Sequence, residues 1–139
     1  MYLTYEEYVN MGGTLTETAF NEFEFEAECI IDWYTFDRLK KDTEYPEAVK
    51  RCVYKIIKIA LSKDSSFTLG DDMSGNSTKQ GAVVSQSNDG VSISYNAMSA
   101  TDLFSKADDE IKLAITVYLA NVTNSLGHKV LYRGIYPNE

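Results

Sequence analysis

The chain has 139 residues, of which 44% are hydrophobic and 24% are charged, and its formal net charge is −8 at pH 7. This composition and length suit one globular domain, residues 1–139, with a single core, and the acidic balance disfavours sequence-specific DNA binding. No apolar run approaches the roughly 20 residues that span a bilayer, and no basic region followed by an apolar stretch opens the chain. We therefore expect no membrane partner, no secretory signal and a cytosolic compartment.

Acids and bases are segregated along the sequence. The first 37 residues contain nine Asp and Glu residues and no Lys or Arg, whereas bases begin at Arg38 and cluster between there and Lys63. Two solvated helix faces of opposite sign are the simpler interpretation. The alternative is that an acidic face on one copy meets a basic face on the next copy.

The first two helices are predicted over about residues 4–11 and 16–41. Thr4 and Glu7 have capping-box spacing, Gly12-Gly13 end the first helix, and Thr16 is the N-cap candidate of the second. The main apolar stripe of the second helix recurs at three- and four-residue spacing and consists of Phe20, Phe23, Ala27, Ile30, Ile31 and Tyr34.

A second stripe on the same helix consists of Phe25, Cys29, Trp33 and Phe36. One apolar face is enough for a surface helix in a monomer, so two stripes indicate either deep burial or a partner surface. The neighbouring acids Glu22, Glu24, Glu26 and Glu28 argue against deep burial, because an unpaired buried carboxylate is costly. We therefore expect the second stripe to contact a partner.

The third helix is predicted over about residues 46–62, with Pro46 in its first turn. Its core-facing stripe consists of Val49, Cys52, Val53, Ile56, Ile57 and Ala60. Because Cys29 and Cys52 both fall on apolar stripes, we expect small buried thiols, and a disulfide between them is the less favoured alternative.

Residues 63–96 interrupt the helical pattern. A polar, flexible loop is expected first, followed by a β-hairpin with strands at 82–87 and 91–95 around Asn88-Asp89-Gly90. The last helix is predicted over about 101–123, and its apolar face consists of Phe104, Ala107, Ile111, Ala114, Ile115, Tyr118 and Val122. An apolar, aromatic tail follows at 128–137, and we expect it to pack on a partner. The predicted fold is mainly α, a bundle of about four helices.

Catalytic and metal-binding patterns are missing from the sequence. His128 is the single histidine, no CxxC motif occurs, and the acids at 71–72 lack the alternating ligands of a calcium loop. We expect a solvated His128, no cofactor and no enzymatic activity. A small hydrolase that uses an Asp with His128 is the weakest alternative.

The chain resembles the head–tail connector proteins, also called adaptor or head-completion proteins, of long-tailed double-stranded DNA phages and Gram-positive prophages. The resemblance rests on the order of the predicted helices and hairpin together with the sequence segments at 5–8, 12–13, 27–39, 46–52, 85–95 and 131–136. It covers essentially the whole chain, and no single motif would be sufficient.

The resemblance implies a structural protein. Such proteins form a ring of about twelve copies that docks under the portal, extends the DNA channel and contacts the next head-completion or tail protein. It implies a location at the head–tail junction of the virion, and in the host cytoplasm during assembly. It also implies that DNA passes through the channel close to the ring without specific binding. No catalytic residues are implied.

Three sets of residues are candidates for this role. For the subunit interface they are Phe25, Trp33, Phe36, Lys50, Arg51 and Lys55. For docking on the portal or another partner they are Leu131, Tyr132, Arg133, Ile135 and Tyr136. For a channel-facing loop and hairpin they are Asp71, Asp72, Lys79, Asn88, Asp89 and Gly90. The alternative is another phage or prophage binding module, such as a tail-completion protein or a small regulator, that acts as a monomer or dimer.

Overall fold

A computed structural model describes residues 1–63 and 99–137 of the chain. Within these ranges the helices are α1 (Tyr5–Asn10), α2 (Glu17–Thr35), α3 (Glu47–Ser62), α4 (Ala100–Lys106) and α5 (Asp108–Leu119). The β-structure of the described ranges is a single antiparallel bridge between Thr123 and Lys129. The prediction of a mainly α fold is confirmed. None of the described helices is long and apolar enough to cross a membrane.

The predicted loop and hairpin fall almost entirely outside the described residues. They occupy 63–96, and the structure describes nothing between 64 and 98. The six channel-facing candidates therefore lie outside the described residues: Asp71, Asp72, Lys79, Asn88, Asp89 and Gly90. Their assignment stays a prediction.

Local capping signals place the helix starts where the sequence predicts them. The Glu7 N–H donates to Thr4 Oγ1 at 3.2 Å and the Thr4 N–H donates to Glu7 Oε2 at 3.0 Å, which completes the capping box before α1. Gly12 follows this helix with φ +94°, a conformation that favours glycine. Thr16 and Ser99 cap α2 and α4 by accepting from the backbone N–H three residues further on.

The prediction that the second helix continues to residue 41 is wrong, because α2 ends at Thr35. Phe36 and Asp37 both have φ +56°, and the Asp37 N–H donates to the carbonyl of Asp32 at 3.0 Å. A left-handed residue commonly ends a helix, although glycine usually occupies that position. For other residues it costs roughly 1–2 kcal/mol, so packing beyond the turn must offset the strain. The turn directs Leu39 into the core, where it is fully buried.

The predicted single last helix is two helices. Ala107, with φ −98° and ψ 7°, separates α4 from α5, and α5 ends at Leu119 rather than near residue 123. The first turn of α5 carries Asp108, Asp109 and Glu110. Three carboxylates at a helix N-terminus are favourable because they face the positive end of the helix dipole. A new helix start at residue 108 is therefore electrostatically favoured.

The core lies around α3, which packs against α2, α4 and α5. The apolar stripe predicted for this helix is entirely buried. The fully or almost fully buried side chains of the described ranges include Tyr2, Leu3, Phe20, Ala27, Ile31, Leu39, Val49, Cys52, Val53, Ile56, Ile57, Leu103, Ile111, Ile115, Leu119 and Val130. Their burial joins the N-terminal segment, all three longer helices and the C-terminal segment into one cluster.

Candidate functional site

Three large aromatic side chains are exposed along one side of α2 and the turn after it. Phe25 is 63% exposed, Trp33 is 74% exposed and Phe36 is 54% exposed, and Cys29 lies exposed between them. We call Phe25, Cys29, Trp33 and Phe36 the aromatic row. Its exposure is the arrangement that the second stripe in the sequence predicts, and its contact with a partner stays a prediction.

The aromatic row lies opposite the core face of α2. Successive residues of an α-helix are about 100° apart, so Phe25, Cys29 and Trp33 cluster roughly half a turn away from Phe20 and Ala27. Phe20 and Ala27 are fully buried. The row therefore points away from the core. Burying it in the same chain would require another element on this side.

A shallow groove runs beside the aromatic row. Its volume is about 880 Å³, and it is bounded by α2, the turn after it, α5 and residue Arg133 of the tail. Trp33 and Phe36 line it together with two lysines that already have partners. Lys40 lies 2.7 Å from Asp37 and 3.3 Å from Asp32, and Lys112 pairs with Asp108. The charges of these two lysines are thus neutralised within the subunit, whereas Arg133 makes no ion pair within the described ranges.

The acids of α2 do not form one solvated face, which corrects the sequence prediction. Glu24 is buried, and its Oε1 accepts from the Tyr2 N–H at 2.6 Å and the Leu3 N–H at 3.4 Å. Burial raises the pKa of Glu24 above its ordinary value. Glu28 lies 2.7 Å from the amino group of Met1. These two carboxylates hold the N-terminal segment on α2.

Asp32 is a second buried acid of α2 and has the same structural role. It accepts a hydrogen bond from the Tyr2 hydroxyl, and the Tyr2 ring packs edge-on against Tyr45 with ring centroids 4.6 Å apart. Burial, and then the hydrogen bond to Asp32, raise the pKa of Tyr2. The phenol therefore stays a donor at any ordinary pH. Glu22 remains exposed beside the aromatic row.

The outer side of α3 carries Arg51, Lys55 and Lys58, which are all exposed. We call these three residues the cationic face. Arg51 Nε lies 2.9 Å from Glu47 of the preceding turn, whereas Lys55 and Lys58 have no ion pair within residues 1–63 and 99–137. Lys50, an interface candidate, instead pairs with Glu7. Its place in the subunit interface is therefore weakened, because its charge already connects α3 to α1.

The C-terminal tail is tied to its own chain by Arg38. The buried guanidinium donates to the carbonyl of Gly134 at 2.6 Å, to that of Val130 at 3.3 Å and to that of Tyr132. It also lies 5.2 Å from the ring centroid of Tyr136. The backbone of the tail therefore packs on its own chain, and the expected contact of the tail with a partner stays a prediction for its exposed side chains.

Only part of the tail remains available to a partner. Ile135 is 86% exposed, and Tyr132 and Arg133 are exposed as well, whereas Leu131 and Tyr136 are half-buried. The half-buried His128 stacks on Tyr136, with ring centroids 3.9 Å apart and planes 5° apart. The prediction of a solvated His128 therefore needs correction, because one face of its ring is covered.

The cysteines are free thiols in different environments. Cys52 is buried in α3, and burial raises its pKa to about 12. Cys29 is exposed on the aromatic row, which corrects the expectation of two buried thiols. Partial desolvation, and then the charges of Glu26, Asp32 and Glu28, raise the pKa of Cys29 above its ordinary value. Both thiols are therefore protonated, weak nucleophiles at neutral pH.

The described residues offer surfaces rather than a cleft with reactive groups. Among residues 1–63 and 99–137, no three His, Cys, Asp or Glu side chains are placed to hold a metal ion. Sequence reasoning missed the buried Glu24 and Arg38. Both bind backbone groups that are distant along the chain, and no local motif marks such contacts. No protein-family model, curated protein or solved structure matches this chain.

Proposed function

We propose that this chain is a structural subunit of a homo-oligomeric ring at the head–tail junction of a long-tailed double-stranded DNA phage or a related prophage. In this proposal the ring contains about twelve copies, lies between the portal and the next head-completion or tail protein, and extends the DNA channel. The chain acts through its surfaces and not as an enzyme. It assembles in the host cytoplasm and ends in the virion.

The exposed aromatic row is the observation that carries the proposal. Aromatic residues are enriched at the cores of protein interfaces, and contiguous exposed apolar patches on soluble proteins mark contact sites. Trp33 is the only tryptophan of the chain and the most exposed of the three aromatic side chains of the row. Such a side chain contributes much contact area for few rotatable bonds once it is buried. A second subunit is the partner that the resemblance favours.

The exposed part of the tail supports a second contact in the same assembly. Because Arg38 fixes the backbone at Tyr132 and Gly134, the side chain of Ile135 is presented to solvent from an anchored segment. We assign Tyr132, Arg133 and Ile135 to portal or partner docking. Leu131 and Tyr136 are half-buried in the subunit and have a smaller part in this docking.

The net charge supports passage of DNA. A formal charge of −8 per chain repels phosphates, so a ring of such chains offers a conduit on which DNA does not stick. The proposal places the predicted loop and hairpin at the channel.

The test combines the native mass of the purified chain with co-expression of a phage portal protein encoded in the same genome. We expect a ring with a central hole in negative-stain images, either of the free chain or on the portal. Trp33→Ser with Phe36→Ser should abolish the ring. Leu126→Ser is the matched control, because Leu126 is 67% exposed in the turn after α5 and lies off the row.

Two results would overturn the proposal. One is the absence of ring formation and portal binding for the wild-type chain. The other is a stable dimer that grows no further, which would favour a small regulator or another binding module. If the row variant assembles like the wild type, the ring proposal stands but the aromatic row is not its interface.

A further inference from the structure

We infer that the aromatic row of one copy binds the cationic face of α3 on the next copy. The inference rests on the proposed self-assembly and specifies which two surfaces meet. The contact would be heterologous, which means that each subunit uses two different surfaces, one toward each neighbour.

The positions of the two surfaces support this pairing. The aromatic row lies opposite the core face of α2, and Arg51, Lys55 and Lys58 lie opposite the core face of α3 by the same helical geometry. The core faces of α2 and α3 pack against each other. The row and the cationic face therefore point to different sides of the subunit. When the row of one copy binds the cationic face of the next copy, the pair keeps one free row and one free cationic face, to which further copies can bind.

The charges of the two surfaces are complementary. Glu22 lies on the same side of α2 as the row, and Asp109 follows Asp108, which lines a hollow together with Cys29 and Trp33. Glu22 and Asp109 are exposed and make no ion pair within the described ranges. The two lysines near the row, Lys40 and Lys112, already pair with acids of their own subunit. Arg133 also lines the groove and makes no ion pair within the described ranges, so an incoming cation is attracted toward Glu22 and Asp109 and repelled near Arg133.

Lysine and arginine also suit the aromatic side chains of the row. A cation within about 6 Å of a ring centroid is attracted to the ring face, most strongly for tryptophan. The apolar stem of Lys55 or Lys58 can lie on Phe25 while its ammonium group reaches Glu22, which precedes Phe25 by about one helical turn. A row packed against a second row would instead bring the two sets of acids together.

A zero-length cross-link tests the contact directly. Carbodiimide joins carboxylates to lysine amines that are in contact, and an equal mixture of ¹⁵N-labelled and unlabelled chain separates links between copies from links within one copy. We expect inter-copy links from Lys55 or Lys58 to Glu22 or Asp109. If the wild-type chain yields none of these links at its highest soluble concentration, the inference is wrong.

Complementary variants test the direction of the contact. The row variant is Trp33→Ser with Phe36→Ser, and the face variant is Lys55→Glu with Lys58→Glu. We expect each alone to weaken self-association roughly tenfold or more. An equimolar mixture should form a 1:1 complex that does not grow, because one intact row meets one intact cationic face. Lys41→Glu, an exposed charge change off both surfaces, should assemble like the wild type.

The outcomes separate this inference from the proposed function. If the face variant assembles like the wild type, or if the mixture forms no 1:1 complex, the inference fails even when the ring still docks on the portal. If the mixture forms the 1:1 complex but the wild-type chain forms no ring and binds no portal, the head-to-tail contact stands and the phage role fails. Circular dichroism melts of both variants establish that a loss of assembly is not a loss of folding.

Discussion

Arg38 and Gly134 are 96 positions apart, and the guanidinium of the first donates to the carbonyl of the second at 2.6 Å. The same side chain binds the carbonyls of Val130 and Tyr132. Arginine suits this position because its planar fork carries several donors in fixed directions. The left-handed turn at Phe36 and Asp37 brings it to the tail, so the end of α2 and the end of the chain are structurally coupled.

Arg38→Ala should release the tail and destabilise the protein. The substitution removes the hydrogen bonds to the buried carbonyl of Val130 and to the partly buried carbonyls of Tyr132 and Gly134, so we expect a loss of about 2–4 kcal/mol in the free energy of unfolding. Chemical denaturation measures this loss, and hydrogen exchange of residues 129–136 reports the release. Arg38→Lys should retain only part of the stability that Arg38→Ala loses, because an ammonium group cannot reproduce the several fixed donors of a guanidinium. Arg133→Ala is the control, with an expected change within about 0.5 kcal/mol. An unchanged exchange rate in Arg38→Ala would contradict the coupling.

Glu24→Gln should change how stability depends on pH. Burial raises the pKa of Glu24 in the folded state above its ordinary value of 4.5. The folded protein therefore binds this proton more tightly than the unfolded chain does, and the associated stability is present below pH 4.5 and is lost as the pH rises through the folded-state pKa. The glutamine side chain does not titrate and has no such loss, so the free energy of unfolding of the variant should rise relative to the wild type across this window.

Denaturation at a series of pH values checks the Glu24 prediction. Glu22→Gln is the matched control, since it removes one negative charge from the exposed side of the same helix. The difference in the free energy of unfolding between Glu22→Gln and the wild type should change less with pH than the difference between Glu24→Gln and the wild type. The prediction is contradicted if the free energies of unfolding of Glu24→Gln and the wild type keep a constant difference as the pH rises from 4.5 toward neutrality. That result would mean that water solvates the Glu24 carboxylate in the folded protein.

The features predicted correctly are those with a local cause. The cap of α1 depends on Thr4 and Glu7, three residues apart, and the buried side of α3 follows from apolar spacing alone. The exposed aromatic row also followed from spacing, because a second apolar stripe cannot share the core face. The starts of these helices and the side of each helix that faces the core could therefore be predicted from short stretches of sequence.

Two of the features predicted wrongly, the acidic face of α2 and the end of that helix, depend on contacts between distant residues. Glu24 is buried because it binds the backbone of Tyr2, 22 residues away, and Arg38 is buried because it binds the tail. The end of α2 at Thr35 has no glycine to mark it, and its left-handed turn is held by packing further along the chain. Spacing within a helix carries no information about such partners, so the predicted acidic face and the predicted helix end were both wrong.

The two cysteines should react in an order set by burial and at a rate set by pKa. At pH 7.5 we expect iodoacetamide to modify the exposed Cys29 several-fold more slowly than free cysteine, because its raised pKa leaves little thiolate. Cys52, with a pKa of about 12, should react only after unfolding. Intact mass against time measures both, and Cys29→Ser should abolish the native reaction. Two fast additions to the folded protein would contradict this prediction.

Trp33 is a built-in reporter of the aromatic row, because it is the only tryptophan and is 74% exposed. In a dilute monomer its emission should resemble that of tryptophan in water, and acrylamide should quench it efficiently. Burial in a subunit contact removes water from the ring, so assembly should shift the emission to shorter wavelength and reduce quenching.

A titration of protein concentration, followed by fluorescence and light scattering on the same samples, tests whether the spectral shift coincides with the increase in mass. The face variant Lys55→Glu with Lys58→Glu should keep the monomer spectrum at concentrations where the wild type has shifted. An increase in mass without a spectral shift would place the subunit contact away from the row.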